Sequence, residues 1–106
     1  MTQQKKLDEV LHAKLTLETA KMAWMELERF FASGALIAVG RGLDLVEVAV
    51  SFANDDQSTV AQWLADGRIA KVTDAQALAW HEADKVLWTV VVKPWILVQE
   101  DYSSVH

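Results

Sequence analysis

The residues of this chain best suited to chemistry are four carboxylates gathered between positions 44 and 56: Asp44, Glu47, Asp55 and Asp56. They are hard oxygen donors of the kind that hold magnesium or calcium. Their spacing fits no EF-hand loop, which needs acids at alternating positions and a glycine in sixth place. Each has a second explanation. Asp44 and Glu47 suit the first turn of a helix, and Asp55-Asp56 suit a turn. A divalent-metal site is therefore carried as an alternative, with a solvated acidic face as the first reading. The histidines add little. His12 falls on an expected helix, His106 in the tail, and His81 stands beside Glu82 and Asp84 with no second histidine four residues away, so the HExxH zinc pattern is absent.

Nucleophilic and phosphate chemistry lack their frames. There is no cysteine, and Ser33, Ser51, Ser58, Ser103 and Ser104 sit in no G-x-S-x-G elbow. Gly40-Arg-Gly42 has neither the GxGxxG spacing nor a following Lys-Ser/Thr. No cofactor is expected. Five tryptophans, at 24, 63, 80, 88 and 95, fall near core stripes or strands. Trp95, beside Pro94, is the one expected at the surface. With Asp55 and Asp56 it forms the candidate partner-contact set, since Trp combines large contact area with one polar handle.

These residues need elements to hold them. Leu7, Val10, Leu11 and Leu15 keep helical spacing over residues 4–14. Thr16 offers an N-cap for a second helix, in which Leu17, Ala20, Trp24, Leu27 and Phe31 recur and Gly34 is the stop. Residues 35–39 read as an interior strand. Asp44 caps a helix over 45–53, and Gln57 or Ser58 starts another that ends at Gly67. Residues 68–72, with two charges, suit an edge strand. Thr73 and Gln76 form a capping box for a helix with Leu78, Ala79 and Ala83 inward. Residues 86–92 and 95–99 read as strands. One strand over all fourteen residues would span about 46 Å at roughly 3.3 Å per residue, so Pro94 marks a turn, bulge or bend. The expectation is one α+β domain over 1–106: N-terminal helices at 4–32, a core at 35–100 and a tail at 101–106. A small, mostly antiparallel sheet packs against about five helices in two layers.

Charge limits the partners. The formal net charge is -5, and no Lys or Arg lies between Arg41 and Arg68. The two helices expected at 45–53 and 58–66 have a helix–turn–helix look, but nucleic-acid affinity comes largely from Lys and Arg on phosphates. Nucleic acid is therefore disfavoured. No window reaches the roughly 18 apolar residues of a membrane span, and the N-terminus has no secretory h-region, so a cytoplasmic protein is the simplest reading. The hydrophobic fraction is 52%. A chain this size buries only about 60–68% of its unfolded surface, so the excess goes into a Trp-rich core or a self-associating face. The functional expectation is a non-catalytic protein-interaction or self-associating domain, a homodimer or the partner of another protein. A small metal-dependent enzyme using the 44–56 acids is the alternative.

Three stretches stand out together: Leu43-Asp-Leu-Val-Glu-Val-Ala49, Asp55-Asp56 leading to Val60-Ala-Gln-Trp-Leu64, and Val91-Val-Lys-Pro-Trp-Ile-Leu-Val-Gln-Glu100. With Leu17-Glu-Thr-Ala20, the set resembles a small bacterial family known as domain of unknown function 2288, over roughly residues 10–100. Asp55, Asp56, Trp63, Pro94, Trp95 and Gln99 match its pattern. The resemblance implies a bacterial, single-domain, cytoplasmic protein, and it carries no assigned activity or catalytic residue.

Overall fold

The computed structural model describes residues 2–101. Its elements run α1 (Thr2–Glu18), β1 (Ala20–Ala23), α2 (Trp24–Ala32), β2 (Leu36–Val39), α3 (Leu45–Ala53), α4 (Gln57–Ala65), β3 (Ile69–Lys71), α5 (Asp74–Glu82), β4 (Val86–Val92) and β5 (Trp95–Glu100). The five strands form one open sheet in the order β1-β4-β5-β2-β3. Only β2 and β5 pair parallel; the other pairs are antiparallel. The class is α+β, with β3 at an edge as its charges foretell. Residues 102–106 of the expected tail, with Ser103, Ser104 and His106, lie outside the described residues.

Two layers become three. Successive strand residues point to opposite faces, and here both faces are apolar. Ile37, Val39, Val90 and Leu97 pack with Leu15 of α1 and Val48 of α3. Leu36, Leu87, Ile96 and Val98 pack with Trp24 and Leu27 of α2 and Trp80 of α5. Near-continuous apolar strands are those buried on both sides.

The helix expected from Thr16 to Gly34 is in fact the end of α1, a strand and a shorter helix. Thr16 does not cap; its hydroxyl donates to the His12 carbonyl at 2.8 Å, inside α1. Ala20–Ala23 pairs antiparallel with Val86–Thr89, and the Trp24 amide donates to the Lys85 carbonyl at 2.8 Å. Leu17 and Ala20, which fit the helical stripe, are exposed. The edge of β4 supplies backbone partners that local spacing cannot foresee.

Helices α2, α3, α4 and α5 end alike. Gly34, Asp55, Gly67 and Asp84 take φ of 78°, 54°, 72° and 51°. The amide of the following residue then reaches back into the last turn: Ala35 to the Phe30 carbonyl at 3.0 Å, Asp56 to Ser51 at 2.9 Å, Arg68 to Trp63 at 2.9 Å, Lys85 to Trp80 at 2.9 Å. This is the Schellman arrangement. Strands β4 and β5 form a hairpin in which Val92 faces Trp95 across Lys93-Pro94, whose peptide is cis. Of turn, bulge and bend, the proline therefore marks a turn.

Candidate functional site

The four carboxylates do not converge. Asp44 and Asp55 flank the nine-residue α3, whose length is about 13.5 Å at 1.5 Å per residue. One ion, with ligands at about 2.3–2.6 Å, cannot span that distance. Among the described residues no three His, Cys, Asp or Glu side chains group as a metal would need. Asp44 is the N-cap of α3, accepting the amides of Val46 at 2.9 Å and Glu47 at 3.1 Å. Asp55 is the left-handed residue that ends α3. Asp56 caps α4, taking the Thr59 amide and the Ser58 hydroxyl, each at 3.3 Å.

The Thr59 side chain, then its amide and the Ser58 hydroxyl, hold the Asp56 carboxyl below the usual aspartate range. A depressed folded-state value stabilises the fold above the unfolded-state value and loses that contribution as pH falls through the folded one. Acid titration of stability by circular dichroism is therefore expected to fall less steeply in Asp56→Asn, which keeps a capping oxygen without the charge, than in the wild type.

The partner-contact set is brought together. Asp55, Asp56 and Trp95 line one concavity of about 360 Å³ between the α3–α4 turn and the β4–β5 hairpin, with Phe52, Val60 and Pro94. Trp95 is half-buried rather than fully accessible, and the Lys71 ammonium stands 5.7 Å from its ring centroid. Asp55 and Asp56 are already engaged in ending one helix and starting the next, so this concavity is first a joint of the fold.

A larger feature joins residues far apart in the chain. A groove of about 540 Å³ runs between α1 and the α3–α4 pair. Helix α1 contributes Lys5, Asp8, Glu9 and His12, spaced i, i+3, i+4, i+7 on one face. Helix α3 and its entry add Leu43, Asp44, Glu47 and Val48, and α4 adds Trp63. The floor is apolar and the rim charged. Asn54 donates from Nδ2 to Asp8 Oδ1 at 2.9 Å and ties the end of α3 to α1. Gln99 sets the other end. Its Nε2 donates to the carbonyls of Gly40 at 2.9 Å and Leu43 at 2.7 Å, fixing the loop that enters α3. Gly40 is needed there, because a Cβ would meet the Arg68 carbonyl oxygen at 2.9 Å.

Asp8, Glu9, His12 and Trp63 were not singled out together by sequence reasoning. The only local signal is the i, i+4 pairing of Asp8 with His12; the meeting with α3 is tertiary. Of the tryptophans, Trp24 and Trp80 are buried, while Trp63, Trp88 and Trp95 are half-buried. Helix α4, which a nucleic-acid reading would present, carries no Lys or Arg. No described helix is long and apolar enough to cross a membrane.

The chain is similar to PA1075 from Pseudomonas aeruginosa, whose solution structure was determined by NMR. The two are 47% identical, the match covers 92% of each chain, and the TM-score is 0.77. No curated protein matches the chain. Residues 10–100 match the family described as protein of unknown function (DUF2288), and the chain belongs to that family.

Proposed function

We propose that this chain is a non-catalytic protein-interaction domain and that its docking surface is the groove between α1 and the α3–α4 pair. The observation that carries this reading is an apolar-floored groove rimmed by charge and built from three helices. Half-buried Leu43, Val50 and Trp63 supply the apolar contact. Aromatic anchors in such settings carry much of the affinity at interfaces. The test is affinity capture from the source cell, followed by reconstitution with the purified captured protein. Val50→Lys, which sets a long cationic side chain in the groove and can carry its charge out to water, is expected to abolish the reconstituted complex while leaving the circular dichroism spectrum unchanged. A complex indifferent to Val50→Lys would reject the groove as the docking surface.

A second reading, self-association, rests on a different surface. Leu7, Val10 and Leu17 of α1 are 58%, 68% and 87% exposed. Their spacing puts them on one stripe, on the flank of α1 away from the groove. Exposed apolar stripes of this kind favour association. Sedimentation velocity at micromolar concentration is expected to show a dimer that Val10→Lys with Leu17→Lys dissociates. A monomer in the unmodified chain would remove this reading and leave the groove reading intact.

A further inference from the structure

We propose that the groove accepts a basic amphipathic helix of a partner protein, an inference that rests on the interaction role above and names its occupant. Charge decides the sign of the partner. Asp8, Glu9, Asp44 and Glu47 stand around the groove, against Lys5 as its one Lys or Arg among the described residues. The carboxylates of Glu9 and Glu47 belong to no salt bridge among the described residues, and both side chains are exposed. The walls on the α3–α4 side come from the stretch between Arg41 and Arg68 that holds no Lys or Arg. An acidic partner meets like charge on both walls, while a basic one meets complementary charge on both.

The length of the groove accommodates a helical partner. The α1 wall runs from Lys5 to His12, eight residues whose ends lie about 10.5 Å apart at 1.5 Å rise per residue. A docked helix covers the same length in about two turns, with anchors at i, i+3 or i+4, and i+7 along one apolar floor. Half-buried Leu43, Val50 and Trp63 lie where such anchors would rest. Lysines flanking the anchor stripe then face Glu9 on one wall and Glu47 on the other, their stems covering the groove edges.

The experiment titrates the isotopically labelled full chain, followed by amide and indole N–H shifts, with three probes. One is a Leu/Lys peptide of about five turns patterned i, i+3, i+4, i+7. The others are its Leu/Glu counterpart and a scrambled Leu/Lys peptide. The patterned Leu/Lys peptide is expected to shift the Trp63 indole N–H and the amides of 43–51. Its affinity should drop at least tenfold in the double variant Glu9→Lys with Glu47→Lys, and should weaken as salt rises. Both positions are exposed, so the variant is expected to keep the wild-type circular dichroism spectrum. Equal or tighter binding of the Leu/Glu peptide in the groove would overturn the basic partner and leave the interaction role standing. Equal binding of the scrambled peptide would overturn the helical form of the partner. Groove resonances unmoved by all three would overturn the proposal and the groove reading with it.

Discussion

Trp24→Ala is expected to cost about 3–5 kcal/mol of folding stability, the range for emptying a buried aromatic position. Trp24 is 2% exposed and opens α2 directly after the edge strand. Its ring lies 5.9 Å from Phe31 and 5.5 Å from Trp80, the latter edge-on, between centroids. One side chain therefore bridges α2 to α5 and both to the sheet. Such a loss is a large share of the roughly 5–15 kcal/mol that domains hold in total. The measurement is the urea midpoint at unchanged slope. A cost under about 1 kcal/mol would mean that α2 does not pack on α5 as described.

Leu97→Ala is expected to cost about 2–5 kcal/mol. Leu97 is fully buried in the central strand β5, where it faces Val90 of β4 and Ile37 of β2. It belongs to the cluster that also holds Leu15 of α1 and Val48 of α3, so the loss falls beneath the groove. The control is Val91→Thr. Val91 lies on the neighbouring strand, pairs with Ile96 and is 48% exposed, so its replacement should change stability by no more than about 0.5 kcal/mol. Loss of groove binding in Leu97→Ala, measured with the patterned Leu/Lys peptide at a temperature where the variant is still folded, would show that the core sets the groove walls. Comparable costs at 91 and 97 would contradict the strand register.

Much of this architecture is legible in the residues themselves. The capping box at Thr73 and Gln76 forms, with the Gln76 amide at 3.1 Å from the Thr73 hydroxyl, but the helix it opens turns Ala77 and Trp80 inward and leaves Leu78, Ala79 and Ala83 exposed, against the expected face. Asp44 caps α3 as its place before Leu45 suggests, and Gly34 and Gly67 end their helices with positive φ. These features act within a few residues, where side-chain oxygens and backbone sterics dominate. Strand β1 was not legible, because Ala20–Ala23 owes its extended form to backbone groups of β4 more than sixty residues away. A helical period over Leu17, Ala20 and Trp24 fits the same residues equally well.

The candidate site divides in the same way. Sequence alone determined that the stretch between Arg41 and Arg68 carries acids and no Lys or Arg, and that Asp55 and Asp56 lie at a break between helices. Only the tertiary structure decided that Asp44 and Glu47 face Asp8, Glu9 and His12 across a groove, while Asp55 and Asp56 lie at the far end of α3 beside Trp95. The reason is physical. Charge and capping are properties of a residue and its near neighbours. A groove exists only where helices separated in the chain are packed on one face of a sheet, and that packing is fixed by which side chains the shared core can bury.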